Sequence, residues 1–244
     1  MQNLKDAYRI QMERENESLP EGKKKRTEFP VPKIVENPDS GRNERKLDTG
    51  EPSEEQTEYF DYLTARMNAI ESNARNSKYR RIDNPLWVLN DARIASLDIR
   101  TIDPTLPRNE NGKVMRAARN IKRLYDQWDD VRGAQLVFCD LSTPKDKGFS
   151  VYRDMAEKLK AMGIPEREIA FIQEFDSDAS KLALFRDVRA GKVRVLFGST
   201  QKMGSGTNVQ ERLIALHHLD APWRPADVEP VSYTHLTLPN DYPV

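Results

Sequence analysis

Two stretches of this chain combine residue types suited to gripping a phosphate. The richer one reads Gly198-Ser199-Thr200-Gln201-Lys202-Met203-Gly204-Ser205-Gly206-Thr207-Asn208. It packs small residues, hydroxyls and two alternate glycines into one loop. Glycine lets the backbone approach a phosphate or ribose closely, and free N–H groups there bind anions. The other stretch is Asp140-Leu141-Ser142-Thr143-Pro144-Lys145. The hydroxyls of Ser142 and Thr143 serve there either as phosphate contacts or as a helix N-cap. Spacing alone does not identify a nucleotide fingerprint. Gly204-x-Gly206 lacks the third glycine of the dinucleotide motif, and no Gly-Lys-Ser/Thr follows it as a P-loop requires. On spacing, an ordinary glycine-rich turn fits equally well.

Both loops follow apolar runs that read as buried strands. Gln135 to Cys139 precedes the first and Val193 to Phe197 the second. Ile169 to Ile172 and Leu213 to Leu219 complete four such runs. Between them, Val151, Met155, Leu159 and Met162 form a helical stripe stopped by Gly163 and Pro165. Leu182, Phe185 and Val188 form another, closed by Gly191. Strands alternating with helices at this spacing imply right-handed crossovers and a parallel sheet, an α/β fold. Ligands of such sheets bind beyond the carboxyl ends of the strands, where both loops fall.

Upstream the pattern is helical. Ser53-Glu54-Glu55-Gln56 has the form of a capping box. Tyr59, Tyr62, Leu63, Met67 and Ile70 follow at helical spacing. Further helices are expected over Leu86 to Ile99 and Val114 to Trp128, the latter with Val114, Ala117, Ala118, Ile121, Leu124 and Trp128 on one face. Residues 1–58 are rich in charge, Pro and Gly, and are expected to be a partly disordered linker. Phe29 to Val35 within it is a candidate edge strand. The Lys23–Arg26 run is either a solvated linker or a backbone contact to DNA.

Bulk composition narrows the classes. Lys+Arg and Asp+Glu both number 39 in 244 residues, so any basic surface must be local. The one cysteine, Cys139, excludes an internal disulfide and reads as an inert core residue. This usage fits a reducing cytoplasm. No apolar run approaches the ~18 residues of a membrane span, so no membrane partner is expected. His217 and His218 lie on an apolar run without a third ligand, which argues against zinc.

The loop Ser199-Thr200-x-x-x-Gly204-x-Gly206-x-Asn208 closely resembles motif V of Swi/Snf-type, superfamily-two helicase-like ATPases. Further landmarks occur in family order. Gly112-Lys113-Val114 resembles the Ser-Gly-Lys helix that precedes motif IV. Leu136-Val137-Phe138-Cys139-Asp140 resembles the motif IV strand. Phe185-Arg186 and Val193-Arg194-Val195-Leu196 resemble the helix and strand before motif V. Asp220-Ala221-Pro222-Trp223-Arg224-Pro225 resembles the segment just ahead of motif VI. The likeness spans roughly residues 15–229, and the wording is most similar to large helicase proteins of phages and conjugative elements.

The resemblance implies a RecA-like C-terminal lobe over residues 131–229, preceded by a helical segment over 59–130. In that family ATP and Mg2+ bind between two lobes, the first supplying the phosphate loop and the second supplying motif VI arginines. Here no Walker A loop or Asp-Glu-x-His box occurs. Motif VI, due after Glu229, is replaced by residues 230–244, which look like translated sequencing-adapter read-through and are expected to be non-native. The chain is therefore expected to be an incomplete lobe, with no catalytic residues, binding no ATP or Mg2+ alone. Its expected partners are the missing N-terminal lobe and DNA in duplex form, held through phosphate contacts. By resemblance Thr200 contacts a nucleic-acid phosphate through its hydroxyl or backbone N–H, with Ser142, Thr143 and Lys202 as further contacts. Gly204, Gly206 and Asn208 line the nucleotide cleft, with turn geometry and an Asx turn as the alternatives. Trp223 is expected to pack against the lobe. Two other functions fit the residues: a non-catalytic docking module, and a free-standing Rossmann-like nucleotide binder, which the loop after the first strand disfavours.

Overall fold

A computed structural model describes residues 13, 36–37, 41–43, 48–73, 83–142, 148–203 and 209–220. Two compact units divide the chain, Met1–Arg45 with Thr237–Val244, and Lys46–Leu236. In the first, Glu36–Asn37 pairs antiparallel with Arg42–Asn43. The candidate strand at 29–35, the Lys23–Arg26 run and residues 230–244 lie outside the described residues.

The second unit opens with helix α1, Glu54–Ser72. Ser53 caps it as expected, its Oγ accepting from Gln56 N–H at 3.2 Å. The reciprocal half of the capping box is not formed. The Gln56 side chain instead donates to Ala95 O at 2.7 Å, tying α1 to helix α2, Pro85–Leu97. Asn84 caps α2, and Pro85 occupies the first turn, where a missing N–H costs nothing. Leu63 and Ile70 of α1 bury against Val88 of α2. Arg66 fixes the pair, gripping Asp83 through two bonds of 2.8 and 2.9 Å and Asp91 through one of 2.8 Å.

Helix α3, Lys113–Gln127, buries Val114, Met115, Ala118, Ile121 and Tyr125. Met115 and Tyr125 were not among the residues expected on that face. Then follow β1 (Ala134–Phe138), α4 (Val151–Ala161), β2 (Ile169–Phe171), α5 (Asp178–Arg189), β3 (Val195–Gly198), the short α6 (Thr200–Met203) and β4 (Leu213–His218). The four strands form an all-parallel sheet in the order β2-β3-β1-β4. This is the expected α/β arrangement, a parallel sheet flanked by helices.

The strand order dictates where the helices sit. The β1-to-β2 connection runs one way across the sheet, and β2-to-β3 returns. Right-handed crossovers must then place α4 and α5 on opposite faces. The two cores agree. Val137, Cys139, Val195 and Phe197 meet α3 and α4 on one face. Leu136, Phe138 and Leu196 meet Leu184, Phe185 and Val188 of α5 on the other. Leu182, expected on the buried stripe of α5, is 65% exposed, and Leu184 takes its place in the core. Ala190 ends α5, and Gly191 follows at φ 69°, the left-handed turn for which glycine is suited.

Buried charge anchors the amino edge of the sheet. The fully buried Arg194 guanidinium lies 3.7 Å above the Tyr125 ring. It donates to Tyr125 O, Trp128 O and Gly133 O at 2.6, 3.1 and 3.1 Å, and pairs with Asp129 at 2.5 Å. A cation at the end of α3 satisfies carbonyls that the helix leaves open.

Candidate nucleic-acid interface

β1 and β3 are neighbours, and their outgoing connections leave toward opposite faces of the sheet. The carboxyl ends of such a pair bound the crevice where α/β sheets take ligands. The loop after β1, the loop after β3 and the end of β4 all meet there. The ladder continues past the strands, with Cys139 N–H donating to Gly198 O at 3.1 Å and Leu219 N–H to Phe138 O at 2.9 Å.

Two aspartates join the three segments. Asp140, at the end of β1, accepts the Thr200 N–H through Oδ1 at 2.7 Å. Asp220, two residues beyond β4, accepts the Asp140 and Leu141 N–H groups through Oδ2 at 2.8 and 2.7 Å. Asp220 is buried, and desolvation raises its carboxyl above the usual range. Lys113, the first residue of α3, is depressed by its own burial, while the Asp220 charge acts in the opposite direction. Loops that carry no regular ladder thus acquire a fixed relative geometry from side-chain acceptors.

The turn after β3 depends on Gly198. A Cβ there would stand 2.5 Å from Met203 Sδ and 2.7 Å from Ile172 Cγ2. Without it, α6 folds back and Met203 enters the core that Leu196 and Ile172 share. Ser199 caps this short helix, its carbonyl accepting from Met203 N–H at 2.9 Å.

The expected contact residues separate at this edge. Thr200 is half-buried, and Asp140 occupies its N–H, so the hydroxyl is the group left to meet a ligand. Lys202 is exposed on α6 and has no ion-pair partner among the described residues. Ser142 is buried, and its Oγ accepts the Val151 N–H at 3.0 Å, capping α4. The N-cap alternative for Ser142 is therefore formed. Thr143, Gly204, Gly206, Asn208 and Trp223 lie outside the described residues.

Neighbouring groups are structural. Cys139 is buried and its thiol is pushed up by desolvation. The Tyr152 hydroxyl donates to Cys139 O at 2.5 Å. His217 shares a hydrogen bond of 2.8 Å with Gln135 Oε1, while Gln135 Nε2 donates to Ile121 O at 2.9 Å. His218 stacks on Phe138 with ring centroids 4.8 Å apart. Among the described residues, no group of three or more His, Cys, Asp or Glu side chains is placed to hold a metal ion. Also among them, no helix is long and apolar enough to cross a membrane.

Sequence reasoning singled out Thr200 and Lys202 but not the latch that positions them. The available signal was an aspartate directly following the end of each of two apolar strand runs, Cys139-Asp140 and Leu219-Asp220. No protein-family model and no curated protein matches the chain.

Proposed function

We propose that this chain acts as the C-terminal lobe of a nucleic-acid-dependent, ATP-driven translocase of the Swi/Snf helicase type. In this reading the carboxyl edge of the sheet grips the phosphate backbone of duplex DNA. The observation that carries it is the Asp140–Thr200 bond at the mouth of the β1/β3 crevice. It fixes the start of a short turn that carries the Thr200 hydroxyl and, two residues on, the exposed Lys202 ammonium. A hydroxyl and a lysine held so suit contacts that position a backbone without reading sequence.

In this reading no hydrolytic step is assigned to this chain, since in the family the phosphate loop belongs to the other lobe. ATP and Mg2+ would be held by a lobe carrying a phosphate loop, supplied from outside these 244 residues. This chain's part is to hold the track and present its edge to that lobe.

The test is amide hydrogen exchange with and without duplex DNA at low salt. Protection is expected in peptides covering 140–142 and 199–209. Unchanged exchange in both peptides, under conditions where the duplex is bound, would reject the carboxyl edge as the contact.

A second reading, a non-catalytic docking module, draws on one feature. The first turn of α2 leaves Leu86, Trp87 and Leu89 at 59%, 50% and 52% exposure. Three large apolar side chains on one turn are a common anchor for a protein partner. Binding of a partner protein with no affinity for duplex would favour it.

A further inference from the structure

Positive charge is concentrated on α3 in a chain whose total is balanced. Its sequence, KVMRAARNIKRLYDQ, holds Lys113, Arg116, Arg119, Lys122 and Arg123 against the single carboxylate Asp126. The arrangement is not random around the helix. Val114, Ala118, Ile121 and Tyr125 face the core. At 3.6 residues per turn, Arg116, Arg119 and Arg123 fall on the opposite side, in one row about 10 Å long. All three are exposed.

The neighbours of this row leave most of its charge open. Asp48 pairs with Arg116 and also accepts from Asn120 at 2.6 Å. Asp126 pairs with Lys122. Arg119 donates to the Glu110 carbonyl, while the Glu110 carboxylate lies 3.6 Å from Lys158. Arg123 donates to the neutral Gln127 side chain at 3.2 Å. Among the described residues, Arg119 and Arg123 face no carboxylate within ion-pair distance.

We propose that Arg119 and Arg123, with Arg116 beside them, form a second phosphate-binding surface for nucleic acid, on the flank of the sheet rather than at its carboxyl edge. The inference rests on the nucleic-acid reading above and adds a second contact to it. Charge complementarity selects the occupant. A duplex presents one phosphate per ~1.7 Å of axis counting both strands, so about six fall within the length of the row, a few of them on the side facing it. Arginine's planar fork matches phosphate oxygens in a way that lysine's point charge does not. A membrane surface is disfavoured, because none of the large exposed apolar side chains belongs to α3.

The experiment is fluorescence anisotropy of a labelled DNA duplex with the full chain, titrated at several salt concentrations. Three variants are compared with the parent: R119Q/R123Q, T200A/K202Q, and K192Q as a control for general charge loss. Circular dichroism confirms equal helix content. For R119Q/R123Q, the slope of log affinity against log salt is expected to fall by about two, with roughly tenfold weaker binding at moderate salt. K192Q is expected to match the parent. If R119Q/R123Q also matches the parent, the α3 surface is wrong, whatever T200A/K202Q does. If T200A/K202Q alone matches the parent, the α3 surface stands and the carboxyl-edge contact falls. A parent chain that does not bind the duplex at low salt overturns both.

Discussion

Asp140 Oδ1 accepts the Thr200 N–H at 2.7 Å across a separation of 60 residues. The bond fixes the loop after β3 relative to the loop after β1. Asp140 itself is held by its own N–H on Asp220. Replacing Asp140 with Ala leaves the Thr200 amide without its acceptor, costing about 1 kcal/mol for a partly buried N–H. Asn keeps an oxygen in place. D140A is therefore expected to lower the denaturation midpoint and weaken duplex binding, and D140N to preserve most of both. Equal loss in the two variants would show that the charge, and not the hydrogen bond, matters.

The start of α4 gives a paired test. Ser150 stands directly before the helix, yet its buried hydroxyl has no hydrogen-bond partner among the described residues. Ser142, nine positions upstream of Val151, accepts its N–H instead. S142A is expected to cost about 1 kcal/mol, the usual value of a lost cap. S150A removes an unsatisfied polar group and is expected to be neutral or stabilising. Urea denaturation of both variants decides it, and the reverse ranking would exchange their roles.

His217 makes the fold acid-sensitive. Burial lowers its pKa to about 4, helped by the His218 and Arg123 charges. The bond to Gln135 suits a neutral ring donating through Nε2, since Gln135 Oε1 can only accept. The unfolded chain then binds the proton first, near the ordinary histidine pKa of about 6.5. Stability present above pH 6.5 is lost as pH falls toward about 4, by an amount on the order of 2–3 kcal/mol. Denaturation midpoints measured across this range should fall more steeply for the parent than for H217Q. Parallel curves would remove His217 as the cause.

Arg194 is the largest fully buried side chain of the unit. R194A would strand the carbonyls of Tyr125, Trp128 and Gly133 and leave a void, an expected loss of roughly 3–5 kcal/mol. R194K retains a charge but cannot span the same acceptors, so an intermediate loss is expected. Calorimetry of the two variants checks the order. A lysine variant as stable as the parent would mean that the charge alone suffices.

Much of this architecture was legible in the sequence. The strands of β1 and β3 announce themselves as short apolar runs, because both of their faces are buried. Gly163 and Gly191 mark helix ends through their positive φ angles of 95° and 69°. On α5, Phe185 and Val188 are buried as the stripe predicts, but Leu184 takes the place of Leu182. Leu182 and Leu184 are both apolar, and only packing against β1 and β3 chooses between them. Gln56 was read as a local capping partner, but a carbonyl on α2 offered it a better bond. The place of Thr200 and Lys202 was legible, since both lie on the short helix just beyond the carboxyl end of β3. Its latch was not, because Asp140, Thr200 and Asp220 are brought together by strand order, which no local pattern encodes.

The most direct test of the carboxyl-edge contact is the affinity of the T200A/K202Q variant for duplex DNA against salt. The prediction is weak, steeply salt-dependent binding by the parent, with a shallower slope and lower affinity for the variant. Parent and variant curves that superimpose, or parent binding that is indifferent to salt and selective for sequence, would contradict it.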